Sequence, residues 1–349
     1  MLPLLSCTKA EINQPIASES DFISAIDISS YPEISASNPT FYDVEGISSD
    51  LLNIFTRNGV NTIRLRLWVN PTTVHSGFNE VKQFSEILKN RGLKIWLSLH
   101  YSDTWADPGQ QQQPIAWQNI PYSALKDSVY AYTKKVVTQI QPNYIQIGNE
   151  INSGFLYPHG NISNNNVQFK ELLEQGILAV RENSDNTKVI IHFAGIEGAT
   201  WFFDNIKLLD YDIIGLSYYP IWHGKSLENL KSTMTILTQT HNKDVVIAET
   251  AYPFTLDWND WTNNIIGLET QLILPDFPAT AKGQRDFVRN IRKLTKELPN
   301  NRGIGVCYWG AELIAWKGVQ STNGSPWENQ AFFDFQNKVL PALEEFKDQ

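Results

Sequence analysis

Glu150 and Glu249 each stand at the end of a short apolar run, YIQIGNE (144–150) and VVIAE (245–249). A carboxylate at the mouth of a hydrophobic strand is either rim decoration or a working group. Two that face each other across a cleft suit glycoside hydrolysis. One protonates the leaving oxygen, and the other attacks the anomeric carbon or activates water. Further polar residues follow or occupy the neighbouring runs. Thr62–Leu67 contains Arg64 and Arg66 and precedes Trp68. Leu93–Leu99 leads into His100 and then Tyr101 to Asp107. Asn149 and Asn152 flank Glu150. Lys188–Phe193 contains His192. Asp212–Ser217 is followed by Tyr218, Tyr219, Trp222 and His223, and Gly303–Tyr308 by Trp309. Within this set Arg66 is expected to keep one Glu ionised, because a neighbouring cation lowers a carboxylate pKa. A less solvated Glu with a raised pKa suits the acid. Asn149 suits a hydrogen bond to the sugar 2-hydroxyl, and His100 and Tyr218 flank the pair.

Some scaffold must bring these run ends together. With Phe22–Ile28, Tyr144–Gly148 and Val245–Ala248 the runs number eight, and they alternate with segments of helical spacing. Those segments are Asp50–Asn58, Glu80–Arg91, Ser123–Ile140, Val167–Asn183, Trp201–Leu208, Leu227–His241, Gln284–Leu298 and Ala331–Phe346. The alternation predicts an α/β chain, a single (β/α)8 barrel with long βα loops and its active site at the C-terminal strand ends. Strand period places Gln146, Gly148 and Glu150 inward together, and likewise Ser98 with His100 and Arg64 with Arg66. An inward Glu249 should send Val246 and Ala248 outward. No Gly-rich phosphate loop follows an early run, which argues against a doubly wound nucleotide-binding sheet and against a phosphate-handling barrel.

Composition narrows the rest. The net charge is -9, which is unlike a nucleic-acid surface. No apolar run is long enough to cross a membrane. Of eleven Trp and thirteen Tyr, about half are expected in the core and the others in a cleft whose flat rings match the apolar face of a sugar. The two cysteines, Cys7 and Cys307, are too few for a disulfide framework. Cys307 reads as a small core residue. Cys7 ends LLSC, which is similar to a bacterial lipoprotein processing site, although no basic residue precedes it. Residues 1–20 therefore read as a truncated lipoprotein signal and flexible tether, and 21–349 as the catalytic domain. An exported monomer is expected, lipid-anchored at Cys7 on the cell surface or a periplasm-facing membrane, or secreted.

Six stretches together carry a family resemblance: DISSYPEI (27–34), IRLRLWVNP (63–71), HYSDTWADPG (100–109), QIGNEINSG (146–154), GLSYYPIWHG (215–224) and AETAYP (248–253). They resemble the endo-β-1,4-galactanases of glycoside hydrolase family 53, from about Asp27 to the C-terminus. The resemblance implies Glu150 as acid/base and Glu249 as nucleophile of a retaining enzyme. It implies an endo-acting cut in the β-1,4-galactan side chains of pectin, with no cofactor. It also implies that Asp103, Trp105, Trp222 and His223 line the cleft beside Arg66, His100, Asn149, Tyr218 and Trp309. Gly310 stands where many members carry Glu. The long segment Phe254–Ala281 is expected to wall the cleft, with Asp257, Asn259 and Asp260 as candidate oxygen ligands for a structural calcium. The rival readings are a related endo-β-mannanase or cellulase, and a glycan-binding protein on an inactive barrel.

Overall fold

The structure, a computed structural model, describes residues 22–347. The expectations for Cys7 and the tether therefore lie outside the described residues. Eight parallel strands close into a barrel: β1 (Ile23–Asp27), β2 (Thr62–Leu67), β3 (Lys94–Leu99), β4 (Tyr144–Ile147), β5 (Lys188–Ala194), β6 (Ile213–Ser217), β7 (Asp244–Thr250) and β8 (Gly303–Trp309). Among the described residues, besides the short helices Tyr31–Ser35 and Pro220–His223, it is covered by α1 (Leu51–Arg57), α2 (Phe78–Asn90), α3 (Tyr122–Ile140), α4 (Ile162–Arg181), α5 (Ala199–Asn205), α6 (Leu227–His241) and α7 (Ala281–Lys296). Each strand is buried on both faces, which is why the strands read as runs of Ile, Val and Leu.

The two sides of the strands pack differently. Ile23, Ala25, Trp96, Ile190, Ile213, Val246, Ala248 and Cys307 fill the floor of the barrel. Their alternates, such as Ile63, Leu65, Ile145 and Ile147, join the large outer core against the helices. Gly176 lets α4 lie close on β4, since a Cβ there would stand 2.6 Å from Cγ2 of Ile147. The strand that carries Glu150 is thereby clamped directly by its own crossover helix.

Two expectations are corrected. Residues Ala331–Phe346 do not form a helix. The chain crosses back on itself at Phe333 and Val339, and Asn337 takes a left-handed conformation. Pro341 favours an extended residue before it, and only Pro341–Phe346 coils, as a 3₁₀ segment that fills the eighth outer position. The second correction concerns β7. Val246 and Ala248 face the barrel interior, not the helices. Leu216 lies opposite Ile247 and Ser217 opposite Glu249, so β7 holds one extra residue. This bulge breaks the alternation and turns Glu249 inward as well.

Candidate active site

The β4 strand ends at Ile147 because the next residues leave the extended region. Gly148 has φ 85° and Glu150 has φ 48°. A residue with a side chain in the left-handed region is uncommon and costs about 1 kcal/mol or more. The turn is held by Ile151, whose N–H donates to the His192 carbonyl at 3.0 Å. Glu150 thus projects over the barrel mouth instead of following the strand.

Arg64 organises the layer beneath. Its guanidinium donates to Asp27 Oδ2 at 2.7 Å, Gln146 Oε1 at 2.7 Å, Asn149 Oδ1 at 2.9 Å and Glu249 Oε1 at 2.7 Å. Tyr219 donates to the other oxygen of Glu249 at 3.0 Å. Arg64 is a donor only, so it fixes the direction of a chain of hydrogen bonds. Gln146 accepts from Arg64 and donates to His192 Nδ1 at 2.8 Å. The His192 proton then lies on Nε2, which donates to Ser217 Oγ at 2.9 Å. Ser217 in turn donates to Glu150 Oε1 at 2.5 Å. The chain runs from the cation to Glu150, while His192 Nδ1 also stands 3.1 Å from Asn149 Oδ1, two acceptors that face each other without a proton between them. It leaves Oε2 of Glu150 as the oxygen that carries a proton.

The two carboxylates therefore differ. Burial, and then repulsion from Glu249, pushes Glu150 up to about 8. Burial also raises Glu249, but Arg64 and Tyr219 oppose it by stabilising the charged form. Glu249 is the member of the pair that ionises first. Oxygens of the two carboxyl groups and a ring nitrogen of His192 lie within 4.8 Å of one another. The positive charge in this triangle comes from Arg64, which is already bound to Glu249.

Above the pair opens a cavity of about 780 Å³. Of the expected binding residues, Arg66, His100, Trp105, Asn149, Trp222, His223 and Trp309 line it. Asn149 is held through Oδ1 by Arg64 and through Nδ2 by the Ala106 carbonyl. His100 and His223 each accept a backbone N–H at Nδ1, from Ala106 and Tyr219, which puts their ring protons on Nε2. Burial lowers His223 to about 4 and His100 well below its ordinary value, so both are neutral donors near neutral pH.

Four placements differ from expectation. Arg66 pairs with neither Glu. Its guanidinium carbon lies 4.9 Å from the Trp68 ring and 4.3 Å from the Trp105 ring, and Nε donates to Ser76. The charge partner of Glu249 is Arg64. Tyr218 turns away from the cleft to donate to the Gly224 carbonyl at 2.7 Å, and Tyr219 takes the cleft position. Strand period from Gly215 through Ser217 gives Tyr219 as the inward residue. Asp103 lies off the cleft and accepts from the backbone N–H groups of Asn70 and Ile115, fastening two loops. Finally, no described residue of Phe254–Ala281 lines the cavity. That segment instead braces the wall. Glu328 accepts from the N–H groups of Asn259 and Asp260, and Asn329 donates to the carbonyls of Thr255 and Ile266. Both carboxylate oxygens of Asp260 accept backbone N–H groups, from Thr262 and Ser325, which ties it into the loop.

The wall so braced is Trp327. Its ring lies 4.7 Å from Trp309 and is stacked with Trp222 at 6.3 Å. Gly310 makes room for it, since a Cβ there would meet the Trp327 indole at 2.7 Å. Of the eleven Trp, Trp105, Trp222, Trp309 and Trp327 surround the cleft, and only Trp96 and Trp327 are buried. Sequence reasoning missed Trp327 because it lies far beyond the end of β8. It also missed Ser217 as a partner of Glu150.

The family described as Glycosyl hydrolase family 53 matches residues 23–346. An arabinogalactan endo-beta-1,4-galactanase of Cellvibrio japonicus is 35% identical, across 96% of this chain and 93% of that protein. An endo-beta-1,4-galactanase of Bacillus subtilis is 31% identical, across 94% of this chain and 86% of its own. A solved family 53 catalytic domain from Ignisphaera aggregans superposes with a TM-score of 0.89 at 35% identity, covering 96% of this chain and 98% of that one. The chain belongs to glycosyl hydrolase family 53.

Proposed function

We propose that the protein is an endo-acting, retaining hydrolase of β-1,4-galactosidic linkages in the galactan (type I arabinogalactan) side chains of pectin. One observation carries the mechanism: two carboxylates with oxygens within 4.8 Å, in an aromatic-lined cleft. Retaining enzymes place the pair about 5–5.5 Å apart, whereas inverting enzymes leave about 6.5–9.5 Å for a water. The names of the relatives supply the sugar.

On this reading the Glu249 carboxylate attacks the anomeric carbon, while the proton on Glu150 passes to the leaving glycosidic oxygen. A covalent galactosyl–enzyme ester forms. Glu150, now ionised, takes a proton from water, which displaces Glu249 and restores the β configuration. Asn149, held by Arg64 and Ala106, is placed to bind the 2-hydroxyl. The two carboxylates supply nucleophile and proton, so the reaction needs no cofactor.

The test of substrate is reducing-sugar release from linear β-1,4-galactan beside cellulose, xylan and mannan. Galactan is expected to be cleaved well above the other three. Turnover of mannan or cellulose with none of galactan would favour the related endo-β-mannanase or cellulase and sink the galactan assignment.

The roles also fix the direction of the pH dependence. Bond breaking needs Glu249 ionised and Glu150 protonated. As pH rises through about 8, Glu150 loses its proton and kcat/KM on galactan should fall. On the acid side kcat/KM should fall as Glu249 takes up a proton. A basic limb centred below pH 6 would contradict the burial argument for Glu150.

A further inference from the structure

We infer that Gln111 is a positioning residue for Glu150, acting through the backbone that carries it. The inference rests on the reading of Glu150 as the acid. Gln111 lies between β3 and α3 and is 2% exposed. Its Nε2 donates to the Asn149 carbonyl at 2.8 Å and to the Glu150 carbonyl at 3.3 Å. Both partners are acceptors, so the amide must present its NH₂ end there.

The need for such a donor follows from the turn. β4 has ended, so these two carbonyls have left the strand ladder. Gly148 and Glu150 both sit at positive φ, and for Glu150 this is unfavourable. A buried carbonyl left without a donor adds to that cost. A single amide that bridges the peptides on either side of the Glu150 N–Cα bond meets both needs and sets the direction in which the Glu150 side chain leaves. Gln111 is itself held from the far side of the turn. Its backbone carbonyl accepts from the Tyr157 N–H at 2.8 Å, and the nearby Gln113 donates to the Leu156 carbonyl at 3.1 Å. The β3–α3 loop is thus stitched to the chain both at Glu150 and beyond it.

If Gln111 only supported the fold, its loss would affect all substrates alike. If it aims the acid, its loss affects the substrates that need an acid. A polysaccharide leaving group requires protonation, whereas a dinitrophenolate departs unaided. The experiment compares kcat/KM on galactan and on 2,4-dinitrophenyl β-galactobioside for wild type, Gln111→Met, Gln111→Glu and Glu150→Gln. Gln111→Met keeps volume without the donor, and Gln111→Glu keeps shape but presents acceptors. Both are expected to lose about 10–100-fold on galactan, as for a misplaced catalytic group. They should stay within about threefold of wild type on the aryl substrate. The Glu150→Gln variant should show the same selectivity more strongly. Wild-type galactan turnover in both Gln111 variants, or equal losses on the two substrates, overturns the inference. If Glu150→Gln itself shows no dependence on the leaving group, the assignment of the acid falls and the inference with it.

Discussion

Glu249→Gln is expected to lower kcat on galactan by about four orders of magnitude, equivalent to about 5.4 kcal/mol of barrier. The proposed double displacement has no route around this group. An amide is a poor nucleophile for the anomeric carbon, and no water can replace it, because the carboxyl groups stand too close for the single-displacement path. The substitution keeps size and keeps an oxygen for Arg64, so the fold should persist. Azide distinguishes the two carboxylates. In Glu249→Gly a small anion enters the vacated space and attacks from the face that Glu249 used, so an aryl β-galactobioside should give the α-glycosyl azide. In Glu150→Ala the galactosyl–enzyme still forms, and azide should give the β product. Full galactan activity in Glu249→Gln, or the two products exchanged, would overturn the assignment.

Removal of Arg64 should be the most damaging change to stability as well as activity. Its side chain and those of Asp27 and Glu249 are all at least nine-tenths buried. Arg64→Met leaves two carboxylates without their counter-ion in a site that water barely reaches. Removing one partner of a buried pair costs about 3–5 kcal/mol, chiefly through the charge left behind. The hydrogen-bond chain through Gln146 and His192 to Glu150 loses its first donor too. The sign with pH follows. Arg64 is a force that lowers the Glu249 pKa against burial. Without it the folded pKa rises further above the unfolded value, so the penalty is small where Glu249 is protonated in both states and grows as pH rises. The difference in urea midpoint between wild type and Arg64→Met should be larger at pH 8 than at pH 5. An equal difference at both pH values would show that Arg64 acts by packing and not by charge.

The barrel and the Glu pair were legible in the sequence because both depend on local signals. Runs of β-branched residues between helical segments specify parallel strands buried on two faces. A polar residue at the end of such a run has only the barrel mouth to occupy. The same logic contained Tyr219, two residues past Ser217 on the inward side, which makes it the recoverable miss. Arg64 and Arg66 could not be separated this way. They share a face and lie two residues apart, and period gives the face but not the depth. Arg64 sits at the level of Gln146 and reaches Glu249, whereas Arg66 sits one layer higher, against Trp68 and Trp105.

Other features exist only in three dimensions. The extra residue in β7 is defined by pairing with β6 and β8, so alternation within β7 alone assigns Val246 and Ala248 to the wrong side. Trp327 enters the cleft because Gly310 leaves space and the segment after β7 braces it through Glu328 and Asn329. The chain by itself determined which elements form and which carboxylates meet, because hydrophobic period acts over a few residues. The tertiary structure decided which cation holds Glu249, which aromatic rings wall the cleft and which amide supports Glu150. Those choices depend on distances between loops remote in sequence, and no local pattern encodes them.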